Sequence, residues 1–225
     1  MSKRSYAQFC GLAKALDVVG ERWTMLVIRN LLLGPLRYSD LLRGLPGITT
    51  NLLAKRLREM EMHGLIERVR TSGEGGQAYR LTETGRALEP AVHALGRWGW
   101  QWMTRPGPGE HRSLEWLLVA LRRRYRGGVT MTAEIVADEV PYTFRLAPAS
   151  ADVARGSASG ADLRASGSPM AFAQLFLGGW QDDGPPEGVR ITAGDVVGLR
   201  ALVEAFERGD PVPHRPPEDV EVGAK

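Results

Sequence analysis

The chain has 225 residues, 43% of them hydrophobic, and a formal net charge of +3, which is enough to build one or two buried cores. Its apolar runs are too short to span a bilayer, no apolar signal segment follows Met1-Ser2-Lys3-Arg4-Ser5, and a single cysteine excludes an intrachain disulfide; a cytoplasmic protein with no membrane partner is expected. The small net charge hides an asymmetry: residues 1–105 hold 16 Lys and Arg against 9 Asp and Glu (+7), and residues 106–225 hold 13 against 17 (−4).

Residues 7–19 predict a short helix, with Phe9, Leu12, Leu16 and Val19 at helical spacing. Cys10 sits beside this face and reads as a small, half-buried residue. Lys14, one turn on, would favour its thiolate, but no role is assigned to it. A second helix is expected over 21–33, with Trp23 in the core, Leu26, Val27, Asn30 and Leu31 inward and Gly34 as its stop. A third opens in Leu36-Arg37-Tyr38-Ser39-Asp40-Leu41-Leu42 and turns through Gly44-Leu45-Pro46-Gly47. The fourth runs from Thr49, a capping residue, to Met60, and Gly64 supplies a left-handed stop.

On that fourth helix Leu53, Leu57 and Met60 share one side, and Asn51, Lys55 and Arg58 lie nearly opposite. Strands over 65–70 and 77–81 flank a Gly-rich tip at 73–76 and carry Arg68, Arg70 and Arg80. Helix, turn, helix, basic hairpin is the order of a winged helix-turn-helix. An amide and two long cations suit base edges and phosphates in a major groove. Arginines on a hairpin suit a backbone or a minor groove, and the Tyr38 and Ser39 hydroxyls suit phosphate. The expected DNA-binding set is Tyr38, Ser39, Thr49, Thr50, Asn51, Lys55, Arg56, Arg58, Arg70 and Arg80. A lone basic helix face is usually only solvated. The turn before this one and the hairpin after it favour duplex DNA.

Residues 82–103 predict a long helix, bent or interrupted at Pro90, with Leu88, Val92, Leu95 and Trp102 at near-heptad spacing. Trp98, Trp100 and Trp102 surround its end. This stripe is read as a homodimer seam, packed with the partner's 7–19 helix, which would match a pseudo-palindromic operator. Arg105-Pro106-Gly107-Pro108-Gly109 is the best linker. A helix over 113–126 follows, with Trp116, Leu117, Ala120 and Leu121 inward and a solvated Arg122-Arg123-Arg124 end. Strands are expected at 129–137, 141–147, 151–158, 161–166 and 188–192, with helices at 168–178 and 195–208 and a disordered tail from 209. The fold class is multidomain: a mainly α winged helix-turn-helix over 1–105, then an α+β domain over 110–208 with an antiparallel or mixed sheet.

Residues 10–102 resemble the HxlR family of bacterial winged-helix regulators. The resemblance is carried by Cys10-Gly11-Leu12-Ala13-Lys14-Ala15-Leu16, Val19-Gly20-Glu21-Arg22-Trp23-Thr24 and Leu33-Gly34-Pro35-Leu36-Arg37-Tyr38-Ser39-Asp40-Leu41. It continues through Leu45-Pro46-Gly47-Ile48-Thr49-Thr50-Asn51-Leu52-Leu53, Gly64-Leu65-Ile66-Glu67-Arg68 and Tyr79-Arg80-Leu81-Thr82-Glu83-Thr84-Gly85. Gly11 departs from it, standing where the family usually has proline. The resemblance implies a sequence-specific transcriptional regulator, and some relatives use the cysteine as a redox sensor.

The second half more loosely resembles the sterol-carrier-protein-like fold. The pieces are Ala161-Asp162-Leu163-Arg164-Ala165-Ser166-Gly167-Ser168-Pro169, Leu175-Phe176-Leu177-Gly178 and Ile191-Thr192-Ala193-Gly194-Asp195. That fold encloses an apolar tunnel, which Trp116, Phe172, Phe176 and Trp180 would line; plain core packing is the other reading of each. The four histidines lack metal spacing, and no phosphate loop or nucleophile elbow occurs, so no enzyme, metal or cofactor is expected. The expectation is a homodimeric regulator of DNA with a small apolar effector in the second domain. The alternative is a second domain that is a ligand-free dimer buttress or protein-interaction module, and an enzyme tethered to DNA comes third.

Overall fold

The computed structural model describes residues 5–70, 76–103, 109–178 and 187–206. The chain divides into two compact units, Met1–Val92 and His93–Lys225. The division therefore falls ahead of the Pro/Gly segment; residues 104–108, and the tail from 207, lie outside the described residues.

The first unit runs α1 (Gly11–Val19), α2 (Thr24–Leu31), β1 (Leu36–Arg37), α3 (Tyr38–Arg43), α4 (Thr50–Met62), β2 (Ile66–Arg70), β3 (Gln77–Leu81) and α5 (Glu83–Arg86). Its core is Val27, Ile28, Leu31, Leu41, Leu45, Leu53, Leu57, Met60, Ile66 and Leu81, all buried. The three strands lie in the order β1-β3-β2, both pairs antiparallel. β1 was not expected. Two residues carry no periodic signal, and this strand exists only because β3 offers it an edge, with Leu36 opposite Tyr79 and Arg37 opposite Ala78.

Three further expectations are corrected. The first helix starts at Gly11 rather than residue 7, because the chain before it folds back: the Ser5 hydroxyl and the Tyr6 N–H each donate to the Asp17 carboxylate at 2.9 Å. Trp23 is half-buried, in left-handed backbone ahead of α2. The helix expected over 82–103 is broken. α5 stops at Arg86, α6 runs Glu89–Gly99, and a 3-10 turn covers Trp100–Trp102. Pro90 explains the break, since it has no N–H for the Arg86 carbonyl and its ring would crowd that oxygen; in the first turn of a new helix it is tolerated.

The second unit continues with α7 (Leu114–Arg123), β4 (Met131–Ala137), β5 (Val140–Ala147), β6 (Ser150–Arg155), β7 (Leu163–Gly167), α8 (Pro169–Gly178), β8 (Val189–Ala193) and α9 (Val196–Glu204). The sheet order is β6-β5-β4-β7-β8, with β4 and β7 parallel and the other pairs antiparallel, so the sheet is mixed. Alternate residues along the strands bury one face: Ala133, Ile135, Tyr142, Phe144, Leu146, Val153, Leu163 and Ala165. On the other face the buried Glu134 carboxylate accepts the Ala158 N–H at 2.7 Å and faces Arg164, pinning the loop between β6 and β7.

The Arg122-Arg123-Arg124 run is not the solvated end that was expected. Arg124 is 3% exposed, with its guanidinium 5.2 Å from the Trp100 ring centre, and Arg122 pairs with Asp152 at 3.3 Å. An aromatic face and a carboxylate replace the water these cations would lose. No helix among the described residues is long and apolar enough to cross a membrane.

Candidate nucleic-acid interface

α4 is positioned at its start. Thr49 caps it, its hydroxyl accepting the Leu52 N–H at 3.3 Å, and Gly47 supplies the left-handed turn (φ +88°) between α3 and α4. The Tyr38 hydroxyl donates to the Thr50 carbonyl at 2.7 Å, tying the start of α3 to the start of α4. Buried Asn30 adds a brace from α2, donating to the Gly44 carbonyl at 3.0 Å.

With Leu53, Leu57 and Met60 buried, the opposite side is exposed and carries Thr50, Asn51, Lys55 and Arg58, with Met62 completing the stripe at i, i+4, i+7 and i+11. Lys55 keeps a loose pairing to Glu59 at 3.9 Å. Thr49 and Ser39 are also exposed.

Two members of the expected set sit differently. Arg56 is buried, its side chain 6% exposed, and pairs with Glu59 at 2.6 Å and Glu21 at 3.2 Å. It is part of the core rim, not of the exposed stripe. The signal was present, because at 100° per residue position 56 falls only 60° from Leu53. Tyr38 is half-buried and its only proton is taken by Thr50, so it has none to donate to a phosphate.

In the hairpin, Arg68 makes a two-pronged pairing with Glu61 near the end of α4, at 2.8 and 3.0 Å, and lies over the Tyr79 ring. That clamp fixes the wing against α4. Arg80 is paired across the strands with Glu67 at 2.7 Å. Arg70 is exposed and has no carboxylate partner among the described residues. Most of the tip lies in 71–75, outside the described residues. Sequence reasoning left out Arg37, an exposed cation paired with β3 near the tip end of this hairpin.

Cys10 is exposed rather than half-buried. The N–H groups of Ala13 and Leu12 at the start of α1 hold its thiol below the usual value.

In the second unit Phe172 and Phe176 are both buried, and Phe176 belongs to an aromatic cluster. Phe176 stacks on Phe144 at 5.8 Å, and Phe206 meets Phe144 and Phe176 at 6.0 and 6.1 Å. Trp116 is half-buried, and Trp180 lies outside the described residues. An open cleft of about 440 Å³ is lined by Ser166, Gly167, Gly188, Val189 and Arg190. Burial, and then the Glu115 carboxylate that accepts its hydroxyl at 2.8 Å, push the Tyr142 phenol well above its ordinary value. The half-buried Arg155 completes this trio by pairing with Glu115.

Residues 18–106 match the model of the HxlR-like helix-turn-helix family. The uncharacterised HTH-type transcriptional regulator YvaP of Bacillus subtilis is 33% identical over 91 residues, 40% of this chain and 84% of that protein. This chain belongs to the HxlR-like family. Its members among the similar proteins are named as helix-turn-helix transcriptional regulators. The uncharacterised regulator Rv3095 of Mycobacterium tuberculosis is 42% identical over 99 residues, 43% of this chain. This chain spans only 62% of that relative's length. The solved reduced form of the transcriptional regulator YodB from B. subtilis is 30% identical, with a TM-score of 0.38, over 46% of this chain and 100% of that one. The family match ends at residue 106, so it does not extend to the sheet of the second unit.

Proposed function

We propose that this protein is a homodimeric transcriptional regulator that reads a pseudo-palindromic operator with α4 and steadies itself on the backbone with the hairpin. The observation that carries this reading is the exposed Asn51, Lys55 and Arg58 stripe on a helix capped and braced at its start. An amide reads adenine, and long cations read guanine or phosphate. Arg56 and Tyr38 support the helix rather than touch DNA, and Ser39, Thr49, Thr50 and Arg70 remain as phosphate contacts. Such a regulator works in the cytoplasm.

Two apolar surfaces support the dimer. Phe9, Leu12 and Leu16 on and before α1 are exposed, and α6 has no buried residue at all, with Leu95 and Trp98 open to solvent. An amphipathic helix left this bare in one chain calls for a second.

In this proposal the second unit senses a small molecule. Support comes from the cleft at the ends of β7 and β8, whose volume suits a small ligand. The packed Phe144, Phe176 and Phe206 cluster favours a second reading, a ligand-free buttress or interaction module, because those rings already fill one another's space.

The DNA reading is tested by enriching duplexes from a random library with the full chain, then titrating the enriched duplex and a scrambled one. Asn51→Ala is expected to cost about 1–3 kcal/mol on the enriched duplex only and to relax one of its positions. Unchanged affinity in both Asn51→Ala and Lys55→Ala would remove α4 as the reading helix.

A further inference from the structure

The cations around the helix-turn-helix fall into two groups. Arg43, Lys55, Arg56, Arg68 and Arg80 each have a carboxylate, from Asp40, Glu59, Glu59 with Glu21, Glu61 and Glu67 respectively. Among the described residues Arg37, Arg58 and Arg70 have none. A cation already facing a carboxylate must break or share that pairing to meet a phosphate, whereas an unpaired one brings its full charge.

Arg37 is also held in place. Its backbone is fixed twice, by the pairing of β1 with β3 opposite Ala78 and by donation of its N–H to the Asp40 carboxylate at 3.3 Å. Its guanidinium lies flat against Gly76: a Cβ built at that glycine would be 3.0 Å from Cζ and from Nη2, and 3.1 Å from Nε. The glycine thus makes room for the guanidinium beside the hairpin.

The register adds a direction. Residues opposite one another in an antiparallel pair share a face, so Arg37 lies on the Ala78 face and Arg70, opposite Gln77, on the other. One arginine with no carboxylate partner among the described residues therefore stands on each face of the hairpin at the end nearest its tip. A wing entering a minor groove has a row of phosphates on each side of it.

We propose that Arg37 is a phosphate contact of the DNA interface, lying against Gly76, that acts with Arg70 from the opposite face of the hairpin near its tip. This rests on the reading of the first unit as a duplex-binding domain. A neutralised phosphate releases counterions, so losing one contact should flatten the slope of log K against log salt by about 0.9.

The test uses the full chain and the duplex that the unaltered protein enriches from a randomised 30-base-pair library, titrated at 50, 100 and 200 mM KCl. For Arg37→Gln the slope should be shallower by about 0.9, so that its affinity deficit shrinks about 3.5-fold between the lowest and highest salt. Arg37→Lys should restore the slope, and Arg37→Met, which keeps an apolar stem, decides the matter should the glutamine variant fail to fold. Wild-type affinity and slope in the uncharged variant would overturn the proposal and leave the α4 reading intact. Weaker binding with an unchanged slope that lysine does not restore would also overturn it, marking Arg37 as structural. If the unaltered protein enriches no duplex, the DNA reading falls and this proposal with it.

Discussion

Arg56 and Arg58 stand two positions apart on one helix and have opposite situations. Arg56 turns inward to Glu59 and Glu21, and Arg58 turns outward with no carboxylate beside it among the described residues. Arg56→Met should lower the unfolding free energy measured by urea titration by about 1–3 kcal/mol for a lost charged hydrogen-bond set, with little change in which duplex is chosen. Arg58→Ala should leave that free energy within about 0.5 kcal/mol and weaken duplex binding. The reverse pattern, with Arg58 holding stability and Arg56 affinity, would mean that α4 is rotated from the orientation described. Both residues are arginine in a basic run, and only the 3.6-residue period separates them. Read by residue type, Arg56 joins the DNA set; read by angle, it belongs with Leu53 and Leu57.

At the scale of elements, α6 is the one whose sequence and surroundings disagree most in a single chain. It is amphipathic, yet none of its residues is buried; Leu95 and Trp98 are 54% and 60% exposed. α1 shows the same mismatch at Leu12 and Leu16. Apolar side chains of this size gain about 1.5–3 kcal/mol each on full burial, so a stable partner surface is expected. Sedimentation of the full chain at micromolar concentration should report about twice 24.7 kDa. Leu12→Glu with Leu95→Glu should bring it back to the monomer mass with helix content retained. A wild-type monomer under those conditions would leave both faces without explanation and would remove the two-fold operator from the reading. The break at Pro90 matters here too, since it frees α6 from α5 to take its own direction.

For the whole molecule, the open issue is what the acidic second unit contributes to a basic DNA reader. A ligand in the cleft beside Ser166, Val189 and Arg190 must prefer one arrangement of the recognition helices to alter DNA affinity, with a typical coupling of about 1–3 kcal/mol. A panel of fatty acids, sterols and polyketides against the full chain, read by thermal shift and native mass spectrometry, separates the two proposals. A bound effector at 100 times its Kd should add about 2.7 kcal/mol of stability and a matching mass adduct. No shift and no adduct across the panel would favour the buttress.

How much was legible follows from the range of the interactions involved. Local periodicity, capping residues and turn glycines identified α2 to α4, the hairpin and the strands and helices of the second unit, because each depends on neighbours within a few residues. The basic face of α4 followed from the same period. What the sequence left undecided depended on distant partners. β1 needs the edge of β3, the burial of Arg124 needs Trp100, and the engagement of the Tyr38 hydroxyl needs the Thr50 carbonyl on the next helix. Arg37 was passed over for the same reason. In sequence it is one more arginine before a helix, and only the fold brings Gly76, 39 residues away, under its guanidinium. Composition and period determined which faces are apolar and which are basic, whereas which cations remain unpaired depends on where the carboxylates come to rest, and tertiary packing alone decided that.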